Sequence, residues 1–369
     1  MAARVRMDTE LADPRPSRSL RASVIERLRS SGGVAQFLVV GVLFACSAVA
    51  VGLYVFTAFH RMRFRFELEW MEGGILEHVK RVLSGKTVYP APSVDFAAFI
   101  YNPLYYYVAA PFCAVFGLAM FPLRLVSFLA SVVSFLLLCL SVKKHTGKLL
   151  AGVLATGLFA GTFAASGAWF DLARIDSLGL ALVLAAGYLL IGPRDRPGDV
   201  SGRALIASGA LAALAILTKQ SAAFVVPVLL LRAFTIGRFR GAALFGGALL
   251  LPLGFAVLAL QIQSHGWYWY YAFQLPSTHT IAGREPLVLD FWRYELFAAL
   301  PIAATTALLE LCCLPITGAS RNWFVPAFAV TLVLVSYVTR LHMGSYTNDL
   351  MPAHAGLAIL STTLLSRLA

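Results

Sequence analysis

Residues 67–89 read ELEWMEGGILEHVKRVLSGKTVY. The stretch follows a long apolar run and carries four carboxylates, Glu67, Glu69, Glu72 and Glu77. Behind Gly73 and Gly74, the apolar residues Ile75, Leu76, Val79, Val82 and Leu83 recur at helical spacing and form one stripe. His78, Lys80 and Arg81 fall off that stripe. The pattern predicts a helix lying along a membrane surface with its charged side in water. Glu69 and Glu72 then stand at the lip of a site on the outer face, where one of them can serve as a base.

Composition places this stretch in a membrane protein. The chain is 59% hydrophobic and 13% charged, with a mean hydropathy of +0.77. A soluble domain carries about a quarter charged residues. Many runs approach the roughly 20 apolar residues that a spanning helix needs. The expected fold is therefore all-α and polytopic, with about ten transmembrane helices and a juxtamembrane amphipathic helix in the first outer loop. The net charge of +12 follows membrane orientation, so nucleic acid is excluded as a partner. The five cysteines (Cys46, Cys113, Cys139, Cys312 and Cys313) sit in apolar runs without metal-like spacing and read as small core residues.

Working outward, residues 1–33 are an Arg-rich polar segment that reads as a disordered cytoplasmic tail. Residues 34–369 form a single transmembrane domain. Its first helix runs from Val34 to Phe59 as an uncleaved anchor. Arg61–Trp70 alternates with period two and predicts an extended interfacial segment, with a frayed helix paired through Arg65 and Glu69 as the alternative. Gly85 closes the amphipathic helix, and a proline-containing loop follows. Residues 103–119 are apolar but short and carry Pro111, which suits a half-embedded helix. Nine further spans are expected at Leu123–Val142, Leu149–Ser166, Ser177–Gly192, Ala204–Thr218, Ser221–Ile236, Gly241–Gln263, Glu295–Leu314, Trp323–Thr339 and Leu350–Leu365. With both ends inside, more than half of the lysines and arginines fall on inner segments, including 318–321, and more than half of the acids on outer ones.

Candidate residues cluster in those outer loops. WFDLARIDSL sets Asp171, Arg174 and Asp176 between two apolar spans. The plain reading is an interface-anchoring Arg with two acceptors. The functional reading is a second acidic cluster facing the first, which positions a hydroxyl or a divalent ion. Lys219 and Gln220 join two short helices. Lysines at helix ends usually snorkel, yet an ammonium here can hold a phosphate as a point charge. QSHGWYWYYAFQLPSTHTIAGREP is rich in aromatics, which an interfacial belt explains, and adds His279 and Arg284, which suit a diphosphate or a sugar. His265 and His279 lie too far apart to argue for a metal. RLHMGSYTNDLMPAHAG offers Arg340, His342, Tyr346, Asn348 and Asp349, either as helix caps or as substrate contacts. Phosphate-binding P-loops, dinucleotide fingerprints and nucleophile elbows are absent.

The order of these motifs resembles the GT-C glycosyltransferases, in particular the group of the lipid A aminoarabinose transferase and the protein O-mannosyltransferases. The resemblance rests on ELEWMEGG, LSGK, YNPLYYY, RLVSF, ARIDSL and ILTKQSA in sequence. It covers residues 34–235 as a core module, with 236–369 as additional helices and loops. It implies a polyprenyl-phosphate sugar donor, an acceptor on the outer face (a glycan, a lipid or a protein), and inversion without an enzyme nucleophile. It further implies Glu72 or Glu69 as base, Asp176 as the second-loop acid, Lys219 beside the donor phosphate, and Tyr101 and Asn102 in the substrate-facing segment. Asn102 stands where the aminoarabinose transferase has a Lys, and Arg284 is a candidate to replace that contact. No cofactor is required by this chemistry, though a divalent metal ion fits it. The rival expectation is a transporter or a flippase of lipid-linked substrates, which would place charges near the bilayer midplane and break helices in paired halves.

Overall fold

The computed structural model describes residues 31–279, 283–314 and 323–368. The predicted tail up to residue 30 and the inner loop at 318–321 lie outside the described residues. No strand occurs among the described residues. Eleven longer helices order the chain: α1 (Ser31–Met62), α2 (Glu72–Leu83), α3 (Leu104–Phe116), α4 (Met120–Thr146), α5 (Leu149–Gly161), α6 (Asp176–Leu189), α7 (Gly202–Thr218), α8 (Val226–Gln263), α9 (Pro301–Cys313), α10 (Phe324–Leu341) and α11 (Met351–Leu368). The chain divides into two units, Met1–Cys46 and Ser47–Ala369. In the first, the described part is the exposed apolar start of α1, with Phe37, Leu38 and Phe44. Everything below concerns the second unit.

By length and apolarity, four helical stretches suffice to cross a bilayer: Phe37–Met62, Met120–Thr146, Gln220–Gln263 and Phe324–Leu341. Leu287–Ala298 and Pro301–Cys313 add a fifth only as a pair bent by 106°. The expected count of ten is not reached by this measure. The predicted spans at Leu149, Ser177 and Ala204 become helices of 13, 14 and 17 residues. At 1.5 Å per residue they fall short of about 30 Å of hydrocarbon. The two predicted helices that meet near residue 238 are indeed separate, because Arg238 breaks α8 with φ 52° and ψ −138°. The predicted span from Glu295 does not run straight. It begins as the π-helical turn Phe291–Ala298 and bends before Pro301, whose ring cannot continue the preceding hydrogen-bond ladder.

Two apolar cores hold the unit together. The larger joins α4, α5, α6, α7, α8, α10 and α11 through residues such as Phe135, Phe159, Phe170, Phe245 and Leu332. Small residues allow these helices to approach closely: a Cβ at Gly356 on α11 would stand 2.4 Å from the Ala329 carbonyl on α10. The second core joins α2 and α3 to the segment around Tyr89 and to Tyr268 and Tyr271. Tyr268 and Tyr271 are therefore core residues, not members of a belt, and they lie in a helical stretch from Trp267 to Ser277.

This second core corrects two expectations about α2. Its stripe faces protein: Ile75 and Val79 are fully buried against residues such as Tyr105 and Tyr106. His78, expected on the wet side, is buried as well. Its Nδ1–H donates to the Gly74 carbonyl at 2.6 Å, and its Nε2 accepts the Phe99 N–H at 2.9 Å. The loop that follows α2 folds back over the helix and covers a second side of it. Gly85 does close α2, with φ 64° and its N–H on Val82 O. Residues 63–71 are not extended. They bend, because the carbonyls of Arg61, Phe64 and Phe66 all turn to one guanidinium, that of Arg124.

Candidate active site

Four loops that are distant in sequence converge beside the ends of α4, α6, α7 and α10. Their charged side chains form three linked groups, and each is set by local sequence.

The first group is a brace. Arg124, in the first turns of α4, is wholly buried. It donates from Nε and Nη2 to the carboxylate of Glu72, at 2.9 and 2.5 Å. Glu72 is equally buried and also accepts the N–H groups of Ala173 and Leu68. Burial pushes the Glu72 carboxyl up, but the Arg124 bonds and the two backbone donors outweigh it and leave it below the ordinary carboxylate range. Beside this brace, Asp171 is buried with Arg61 Nη1 3.1 Å away. Burial holds its carboxyl up at about 6, against the pull of Arg61. Gly167 and Ala168, both with positive φ, turn the chain so that the Ala168 carbonyl accepts from Arg61.

The second group centres on Arg174. Its Nη1 donates to Glu69 Oε2 at 3.1 Å and its Nη2 to the Tyr101 hydroxyl at 2.9 Å. The guanidinium lies over the rings of Trp169 and Tyr101. Glu69 Oε2 also accepts the Met71 N–H. Glu69 Oε1 is buried and, among the described residues, has no hydrogen-bond partner. Burial raises the Glu69 carboxyl above its ordinary value, and Arg174 only partly offsets this.

The third group centres on Lys219, at the turn after α7. Its Nζ donates to Asp176 Oδ1 and Asp349 Oδ1, each at 2.7 Å. Asn348 Nδ2 donates to the same Asp176 oxygen at 2.8 Å. Burial disfavours the ammonium, yet the two carboxylates reverse this and hold Lys219 above the usual lysine range. Asp176 Oδ2 lies 4.0 Å from Arg174 Nε, and neither atom has a hydrogen-bond partner among the described residues. That gap joins the second group to the third. Beside it opens a hollow lined by Asp176, Lys219, Asn348 and Asp349 at one end and by Leu180, Val183 and Leu332 at the other.

Sequence reasoning named most of these residues. The structure brings Glu69, Tyr101, Arg174, Asp176, Lys219 and Asn348 into one connected set. Gln220 and Asn102 stand next to it as clamps. Gln220 Nε2 donates to the carbonyls of Ile100 and Ala272, while Asn102 bonds Ile216 O and the Tyr268 hydroxyl. Arg284 reaches the last loop at Ser345 O but no acid of the set. His342 is exposed and His279 half-buried, and no side-chain bond ties either to the cluster. Asp349 stood between a helix cap and a substrate contact, and Arg124 was not singled out for the site. Arg124 could have been found as a charge set inside the start of an apolar span, which demands a partner. No group of three or more metal-ligating side chains occurs among the described residues. The Lys219 ammonium stands between Asp176 and Asp349, where a divalent ion would have to sit, so these residues do not fit a metal.

Residues 101–269 match the family model of dolichyl-phosphate-mannose-protein mannosyltransferases. That segment carries Tyr101, Arg124, Arg174, Asp176 and Lys219. Among solved structures, ArnT from Cupriavidus metallidurans bound to undecaprenyl phosphate has a similar fold, with a TM-score of 0.62 at 17% identity. The match covers 87% of this chain and 60% of that one. The same protein in its apo state matches with a TM-score of 0.61 at 17% identity. The chain thus spans 60% of the length of these structures. No curated protein sequence matches it.

Proposed function

We propose that this chain, a member of the GT-C superfamily by its fold, transfers a sugar from a polyprenyl-phosphate carrier to an acceptor hydroxyl at the outer face of the membrane. Glu69 is the base, and the transfer inverts the anomeric centre. One observation carries the reading. Glu69 has one carboxylate oxygen fixed by Arg174 and Met71 and the other buried without a partner. A base needs an unengaged lone pair that is held in place. Glu72 has none to spare, since Arg124, Ala173 and Leu68 take up its oxygens.

The remaining groups support the same step. The acceptor oxygen attacks the anomeric carbon as its proton passes to Glu69 Oε1. The bond from that carbon to the phosphate oxygen breaks, and its electron pair leaves with the lipid phosphate. Such a leaving anion requires a cation beside it. Lys219 meets that need by exchanging one of its two aspartate partners for phosphate. Arg174 orients Glu69, and Asp176 and Asn348 keep Lys219 in place. Tyr101 and Trp169 flank Arg174 as a surface on which a sugar ring can lie.

The lipid tail has a matching groove. Phe224, Pro227 and Leu231 face Ala327, Thr331 and Leu334 across an open apolar groove. That groove and the Lys219 hollow share Val335. A carrier with its phosphate at Lys219 would leave its first isoprene units there. The test is deletion of the gene followed by analysis of envelope glycans and lipid-linked sugars. Loss of one glycan modification with accumulation of its lipid-phosphate sugar is expected, restored by the wild-type gene and not by Glu69→Gln. An unchanged profile would overturn the reading.

A further inference from the structure

A second polar hollow lies at the other end of the helices. α4 has Arg124 near its start and Lys144 and His145 at its end, about 30 Å apart along the helix axis. α6 likewise begins at Asp176 and leads into Ile191 and Gly192. At this far end Lys144, His145, Arg194 and Arg232 line a shallow hollow whose apolar wall includes Phe324 and Val325. Among the described residues no Asp or Glu lines it.

Lys144, Arg194 and Arg232 are placed without a counter-charge among the described residues. Arg232 is buried, and its guanidinium donates to the carbonyls of Leu190 and Pro197, which folds the 190–197 loop around the hollow. Its open face lies on the Phe324 ring. Lys144 sits over the Tyr188 ring at 4.9 Å. Arg194 lies against Gly147, where a Cβ would come within 2.8 Å of its Nη1. Among the described residues none of the three forms an ion pair; Glu310 is held by Arg367, and Asp195 is exposed to solvent beside Arg196. The orientation rule accounts for basic residues on this face. It does not account for Lys144, Arg194 and Arg232 converging on one concavity, where their mutual repulsion costs stability unless an anion enters.

We infer that this hollow binds the phosphate group of an anionic ligand at the membrane face opposite Glu69. A lipid headgroup satisfies both halves of the lining, with its phosphate on Lys144 and Arg194 and its glycerol end against Phe324 and Val325. A soluble phosphate would use the cations alone.

The test uses the full chain in nanodiscs of phosphatidylcholine with phosphatidylglycerol as the minor component. Native mass spectrometry reads which lipid stays bound. The wild type should retain one phosphatidylglycerol in preference to phosphatidylcholine. The double variant Lys144→Ala/Arg194→Gln should lose that preference by roughly tenfold or more. Arg196→Gln/Arg240→Gln removes as many charges from exposed positions outside the hollow and should retain it. In pure phosphatidylcholine discs, inorganic phosphate is titrated while the melting temperature is followed. A rise that the first double variant lacks, with no lipid preference, assigns the hollow to a soluble phosphate. Equal losses in both double variants would mean diffuse surface charge and overturn the inference. So would a wild type that responds to neither probe.

Discussion

Arg124 and Glu72, 52 residues apart, hold each other by two hydrogen bonds with both side chains sealed from solvent. Through this pair the first loop is pinned to the start of α4, and through the Ala173 N–H the segment before α6 is pinned to both. Glu69 stands three residues before Glu72, so the brace also decides where Glu69 points. Removing one partner leaves a buried charge alone. Glu72→Ala and Arg124→Ala should each lose about 3–5 kcal/mol of stability, read as thermal unfolding in detergent. The carboxyl of Glu72 lies below its ordinary value in the folded protein. Its stabilising contribution is therefore complete above the unfolded-state pKa and is lost as pH falls through the lower folded value. Acid melts of the wild type should be steeper than those of Glu72→Gln.

Glu69 titrates the other way. Burial raises its carboxyl, so turnover should fall as pH drops through that raised value, on the alkaline side of an ordinary glutamate. Replacing Arg174 with Gln removes the partner that offsets burial and should move this limb further toward alkaline pH. A pH profile of kcat/KM for the two proteins checks the direction. An acid limb that does not move with Arg174→Gln would contradict the link.

Lys219 shares its ammonium between Asp176 and Asp349. Lys219→Ala would leave two carboxylates facing each other and a leaving phosphate without its cation. A loss of about 100-fold or more in kcat/KM is expected. Lys219→Arg should restore part of it. Asp349→Asn frees the ammonium of one partner and should lower the donor KM. Initial rates over a range of donor concentrations separate these effects.

Gly74 tests the fold of the first loop without touching a charge. A Cβ there would lie 2.1 Å from the Phe99 ring, which stacks on His78. Gly74→Ala should cost about 1–3 kcal/mol, and a second change, Phe99→Leu, should recover some of it. Unfolding midpoints of the two variants decide this.

Much of this arrangement could be read from the residues alone. The period of Ile75, Val79 and Val82 fixed α2, and Asp176 and Lys219 stood out as charges at the ends of apolar helices. What covers α2 could not be read, because the fold-back of the loop around Phe99 onto His78 is a long-range event with no local signal. The bends at 63–71 were hidden for the same reason: alternation of Arg and Phe suggested an extended segment, while the tertiary demand of Arg124 for carbonyls prevailed. Asp349 read equally as a helix cap or a substrate contact, and only the approach of α7 to the last loop makes it a partner of Lys219. The span count failed where helices shortened, since apolar composition continues through turns such as 162–168 that no longer run as helix.

The most direct measurement compares Glu69→Gln, Glu72→Gln and wild type, each purified and checked for its unfolding midpoint. Membranes containing each protein receive a panel of radiolabelled polyprenyl-phosphate sugars, and release of polyprenyl phosphate with transfer of label to envelope acceptors is counted. Expected is a wild type that transfers one of the sugars, and a Glu69→Gln protein that unfolds at the wild-type temperature and has lost at least about 100-fold in rate. Glu72→Gln should lose stability first and activity in proportion. A stable Glu69→Gln protein that transfers sugar at the wild-type rate would contradict Glu69 as the base.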